Sequence, residues 1–171
     1  MAAACVEPLP GLSEIPACDE TGLTFEENAI FKAEYYGQFT SGFLFADDSG
    51  LEVEALAGAP GVYSARYAGE GASDAENNRL LLRNLELQQN RQARFVCVIA
   101  LVENARLVNT FRGEVEGEIL RSPRGAGGFG YDPLFYFPPL ECALAEVPPD
   151  RKFAVSHRGK ALRALMEFLR Q

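Results

Sequence analysis

A chain of 171 residues fits one domain, able to bury roughly 70% of the surface its unfolded form would expose. An apolar fraction of 47% beside 23% charged residues excludes a disordered chain, and a net charge of −8 argues against a protein that holds nucleic acid by its phosphates. No apolar run approaches the ~20 residues needed to span a bilayer, and Met1-Ala2-Ala3-Ala4-Cys5 lacks the basic start of a secretory signal, so a cytoplasmic protein without membrane or nucleic-acid partners is expected.

Residues 1–23 are rich in Pro and Gly and read as irregular. Thr24 and Glu27 have capping-box spacing and predict a helix from Phe25 to Gln38, with Ala29, Ile30 and Ala33 on its inner side. Gly42 breaks it before a short strand, Phe43–Ala46, and the strand ends at Asp47-Asp48-Ser49-Gly50. Residues 57–71 hold many Gly and Ala and read as a loop, after which Ser73 and Glu76 open a second helix to about Leu87. Ala93–Val102 and Leu107–Ile119 predict an antiparallel hairpin turning at Glu103-Asn104-Ala105-Arg106. Phe129–Phe137 reads as a loop leading into an edge strand, and Ser156 caps a last helix to about Leu169 with Leu162, Leu165, Met166 and Leu169 as its apolar stripe. Helices mixed with paired strands imply an α/β or α+β sheet protein.

Two adjacent carboxylates beside Ser-Gly suit a hard metal ion, and strand alternation lets at most one of Asp47 and Asp48 face a given cleft. Asp-Asp-Ser-Gly is also ordinary turn chemistry. Taken alone, Glu20 reads as an exposed loop charge, and Lys32 is readable as a surface lysine or as a cation for the phosphates. Ser49 can offer a hydroxyl to a phosphate. Basic residues crowd the end of the chain, where Arg151, Lys152, Arg158, Lys160, Arg163 and Arg170 form a positive wall suited to a small polyanion or simply a solvated helix face. Phe129 can stack on a purine while Gly130 admits close backbone approach, with Tyr131 and Asp132 following. His157, the single histidine, is readable as a packing residue or, with Arg158 at a helix start, as a donor to a purine keto oxygen. Cys5, Cys18, Cys97 and Cys142 have no zinc-type spacing and read as structural thiols.

Four blocks act together: Glu20-Thr21-Gly22-Leu23-Thr24-Phe25-Glu26-Glu27-Asn28-Ala29, Ala46-Asp47-Asp48-Ser49-Gly50-Leu51, Gly127-Gly128-Phe129-Gly130-Tyr131-Asp132-Pro133, and Lys152 through Ser156-His157-Arg158. With Gly58-Ala59-Pro60-Gly61-Val62-Tyr63-Ser64-Ala65-Arg66-Tyr67, they resemble the inosine triphosphate pyrophosphatases, hydrolases of non-standard purine nucleoside triphosphates, from about Ile15 to the C-terminus. The resemblance implies a mixed central sheet flanked by helices, two lobes with the active-site cleft between them, and a homodimer. It also implies Mg²⁺ held by Glu20 and Asp48, with Asp48 as the catalytic residue. Ser49, Phe129, Gly130, Tyr131, Asp132, Lys152, His157 and Arg158 are then the substrate-binding residues for ITP, dITP or XTP. Family members open with a strand and a Gly-Asn-x-x-Lys-type turn, and residues 1–14 match neither, so the first strand is expected to be missing from a domain spanning 15–171. Two alternatives stand beside the pyrophosphatase: a catalytically impaired nucleotide-binding protein of the same fold, and a related hydrolase of modified pyrimidine nucleotides.

Overall fold

The strand β2 (Gln92–Glu103) is buried without interruption from Phe95 to Val102, so the sheet containing it needs a layer on each face. The computed structural model, which describes residues 6–171, supplies both layers; Cys5 lies outside the described residues. On one face Val96, Val98, Ala100 and Val102 pack against Phe25, Ala29 and Ala33 of α1 (Phe25–Gly37). Across the sheet Cys97, Ile99 and Leu101 pack against Ala161 and Leu165. These two belong to the helix beginning at His157.

The sheet runs in the order β1 (Phe43–Val53), β2, β3 (Arg106–Ile119), β4 (Phe135–Phe137) and β5 (Cys142–Ala143). Every named strand pairing among the described residues is antiparallel. Three further helices complete the fold: α2 (Asp74–Asn84), α3 (Pro149–Val155) and α4 (His157–Phe168). The long β2–β3 hairpin carries two packing regions along its length. At one end α1 and α4 cover it, and at the other Phe95, Val115 and Ile119 join Leu81 of α2 and Leu85 at its C-cap with Leu134 and Phe135.

Local signals account for the helix starts. Thr24 with Glu27 and Ser73 with Glu76 form complete capping boxes, and the Ser156 hydroxyl accepts from the Gly159 N–H at 3.0 Å. The expected strand Phe43–Ala46 is too short. β1 continues through Asp47-Asp48-Ser49-Gly50 to Val53, because each of those residues lies opposite a buried β2 partner, Ile99, Val98, Cys97 and Val96. Sheet pairing thereby overrides turn propensity. Residues 57–71 include a 3₁₀ helix, Gly61–Arg66, held where the Ser64 hydroxyl accepts from the Leu51 N–H at 2.9 Å. β4 is not the edge expected of it, since β5 pairs alongside. α3 is absent from the sequence expectation because Pro148 and Pro149 stand at its start, yet Pro149 occupies the first helical position, where its missing N–H costs nothing.

Two glycine contacts decide how α4 lies. At Gly113 of β3 an added Cβ would overlap the His157 carbonyl oxygen and sit 2.6 Å from the Ala161 nitrogen, so the bare backbone permits the close approach of helix to sheet. The His157 ring then stacks on Phe95 with centroids 4.8 Å apart and planes 11° apart. Gly113→Ala is expected to destabilise the fold by about 1–3 kcal/mol, the usual range for overpacking, as measured by urea unfolding; an unchanged midpoint would show that α4 docks independently of that contact.

Burial, followed by the charges of Arg158 and Lys152, lowers the His157 pKa to about 3 from an ordinary value of 6.5, while Asp47 opposes the shift. The unfolded chain therefore binds a proton below pH 6.5 that the folded chain refuses. Stability is fully present above that pH and falls as the pH drops towards about 3. In unfolding measurements across this window, His157→Gln should lose stability less steeply than the parent; parallel curves would assign the acid sensitivity to carboxylates alone.

Candidate active site

Consecutive carboxylates on β1 point to opposite faces of the sheet, and each meets a different helix. Asp48 turns to α1 and is only 8% exposed. Its Oδ1 lies 2.9 Å from the Lys32 ammonium, and its Oδ2 accepts from Asn28 Nδ2 at 3.2 Å. The same ammonium is 3.2 Å from Glu20 Oε1. Burial pushes the Asp48 carboxyl above the ordinary carboxylate range, a shift that Lys32 and Asn28 only partly offset. For Lys32, burial works against the charge but the hydrogen bond and charge of Asp48, with those of Glu20, outweigh it and hold its pKa high.

Glu20 and Asp48 thus converge on one cation position, now taken by the lysine head. Among the described residues no group of three or more His, Cys, Asp or Glu forms a metal cage. Two hard carboxylates without a cage fit a Mg²⁺-type ion, which uses one or two protein carboxylates and completes its shell with water and phosphate oxygens.

Asn28 was missed by the sequence reading, although a signal for it existed. Phe25, Asn28, Ala29, Lys32 and Ala33 follow helical i, i+3, i+4, i+7, i+8 spacing, so Asn28 is a polar residue on a core-facing stripe. It is completely buried, and its Oδ1 accepts from the Gly22 N–H at 2.8 Å. One amide therefore joins Asp48 to the loop that carries Glu20.

Asp47 and Ser49 face α4. Arg158 Nε and one terminal nitrogen each lie 3.1 Å from Asp47 Oδ2, and that nitrogen also donates to Ser49 Oγ at 2.9 Å. Beneath them the Cys97 thiol, completely buried, has its pKa pushed up to about 12 by burial and by Asp47. Cys18, Cys97 and Cys142 are free thiols.

The base-reading candidates gather beside this group. Phe129 is 62% exposed, with the Lys152 ammonium 4.6 Å and the Arg158 guanidinium 5.9 Å from its ring centroid. Asp132 is buried and supports the loop, its Oδ2 accepting from the Phe129 N–H at 2.8 Å and pairing with Lys152. Tyr131 is buried as well and donates its hydroxyl to the Ser64 carbonyl at 2.7 Å. Asp74 and Asn78 of α2 hold Gly130 from the other side, contacts that no local sequence signal announces. His157 lies buried against Phe95, and its Nδ1 has no partner among the described residues.

Glu20, Lys32 and Asp48 are therefore on one face of β1, and Ser49, Phe129, Lys152 and Arg158 on the other. β1 has no partner strand on its outer side among the described residues. A cavity of about 1070 Å³ along that edge is lined by Lys32 of the first group and by Asp47, the partner of Arg158.

Known proteins resemble this chain in both sequence and fold. A dITP/XTP pyrophosphatase from an Exiguobacterium species is 53% identical over 160 residues, covering 94% of this chain and 82% of that protein. The solved HAM1 protein of Coxiella burnetii superposes with a TM-score of 0.87 at 48% identity, covering 91% of this chain and 81% of the other. The Staphylococcus aureus Ham1 protein gives 0.88 at 46% identity over 93% and 83%. With a family model matching residues 2–168 as well, this chain belongs to the Ham1 family.

Proposed function

We propose that this protein is a Mg²⁺-dependent pyrophosphatase that hydrolyses ITP, dITP and XTP to the monophosphate and pyrophosphate, removing non-standard purines from the cytosolic precursor pool. The observation that carries the reading is the convergence of Glu20 and Asp48 on Lys32 at one face of β1, with the exposed Phe129 ring and its two cations on the other face. Support for the substrate class comes from relatives of about half-identical sequence that are named dITP/XTP pyrophosphatases. A homodimer remains part of the proposal, on the family resemblance.

In this reading Asp48 takes the proton of the attacking water. Its burial raises the basicity of the carboxylate, and Asn28 keeps it aimed. Glu20 and Asp48 would hold Mg²⁺, which when bound neutralises charge on the triphosphate oxygens. Lys32 supplies a fixed cation on the same face, and Arg158 braces Ser49 for a phosphate or sugar oxygen. Phe129 stacks on the purine. Inosine and xanthine present a keto oxygen where adenine presents an amino group, so donors of the Lys152–Arg158 group accept the former pair, whereas adenine leaves buried bonds unmade.

Release of pyrophosphate from ITP, XTP and dITP, compared with ATP, tests the proposal directly. ATP turnover equal to that of ITP would overturn the substrate assignment, and binding without turnover would favour the impaired nucleotide-binding protein. Within the proposal, Asp48→Asn should retain binding and lower kcat by ~10²–10⁴-fold, the range for a lost general base. Glu20→Gln should raise the Mg²⁺ concentration giving half-maximal rate, whereas an unshifted metal titration would remove Glu20 from the metal site. Phe129→Ala should raise KM for ITP by roughly 10-fold, consistent with the loss of one stacking contact. A change confined to kcat would show that the ring does not hold the base.

A further inference from the structure

Gly130 lies in the loop that presents Phe129 and adopts a left-handed backbone with φ 60°. Both of its main-chain polar groups bond to side chains of α2. Its N–H donates to Asp74 Oδ2 at 2.6 Å, and its carbonyl accepts from Asn78 Nδ2 at 2.9 Å. Asp74 and Asn78 are four residues apart, which puts them on one side of the helix, so a single helical face grips both ends of one residue.

The grip has a firm base. Between those two residues, Asn77 is buried, accepting from the Ala68 N–H at 2.8 Å and donating to the Ala65 carbonyl at 3.1 Å. Leu81 and Leu85 anchor the far end of the helix segment in the core. The Phe129 ring is mostly exposed, and among the described residues its backbone is tied only to Asp132, whose Oδ2 accepts from the Phe129 N–H and whose N–H donates to the Phe129 carbonyl. The direction of its ring therefore depends on the backbone at residues 129 and 130. Asn78 also leaves its Oδ1 buried without a partner among the described residues, so the donor bond to Gly130 is the amide's one polar contact there.

We infer that Asp74 and Asn78 are positioning residues that set the Phe129 platform for the base of the nucleotide without touching its phosphates. The inference rests on the nucleotide reading above. Calorimetric binding of IMP probes the base, and binding of tripolyphosphate with Mg²⁺ probes the phosphate site. Asp74→Ala and Asn78→Ala should each weaken IMP by about 3–10-fold, as for one lost hydrogen bond, and leave tripolyphosphate affinity unchanged. KM for ITP should rise more than kcat falls. Asp74→Asn keeps an acceptor and should restore most of the IMP affinity, while Asn78→Asp sets a carboxylate against the Gly130 carbonyl and should bind worse than Asn78→Ala. Asp74 is exposed, so its variants test the idea without disturbing a core position. If the parent binds no IMP, the nucleotide reading falls and the inference with it. If the parent binds IMP and the double variant binds it equally well, or loses both probes in proportion, the positioning role alone is wrong.

Discussion

Alternation along β1 is the constraint on which the arrangement depends. One step in sequence, from Asp47 to Asp48, moves a carboxylate through the sheet from the α4 side to the α1 side. A register slip of one residue against β2 would exchange them, bringing Asp48 to Arg158 and Asp47 to Lys32. The slip is prevented by packing. Leu51 and Val53 are completely buried on the Asp47 side, while Gly50 on the other side has the Gly61 carbonyl 2.6 Å from where a Cβ would stand. The apolar end of the strand thereby fixes the register of its polar middle.

Charge is organised as tightly as register. The molecule carries a net charge of −8, yet each cation at the candidate site is held by acids: Lys32 by Glu20 and Asp48, Lys152 by Asp132, and Arg158 by Asp47. Partly buried cations need such partners, because removal from water is offset only by a near opposite charge and satisfied hydrogen bonds. The pairs also preorganise the ammonium and guanidinium groups, so a polyanion arriving at the site meets donors whose positions are already set. A flexible surface lysine would have to surrender rotamer freedom at that moment.

How much of this was legible depended on the range of the interaction. Thr24 with Glu27 and Ser73 with Glu76 act over three residues, and the helix starts they define are where local pattern placed them. The β2–β3 hairpin was visible because its turn is local and β2 is continuously apolar. The length of β1 was not, since Asp-Asp-Ser-Gly favours a turn until β2 is alongside to pair with it. α3 was hidden by Pro148 and Pro149, which mark a loop and a helix start equally well. Arg158 and Asp47 were each recognised as candidates, but a contact 111 residues apart leaves no trace in spacing. The same holds for Asp74 and Asn78, whose partner lies beyond 50 residues in the chain.

Phe129 shows why the site combines rigidity with exposure. An aromatic ring left 62% in water loses the burial that would otherwise stabilise it, so its position has to come from the backbone beneath it. Four polar contacts supply that position: Asp132 on the Phe129 N–H and carbonyl, and α2 on the two groups of Gly130. Asp132 is in turn held by Lys152, whose ammonium also lies beside the ring, so one cation both braces the loop and colours the face a base would meet. Apolar surface kept open in this way retains its hydration until a flat partner displaces the water, and the stabilisation withheld from folding becomes available for binding.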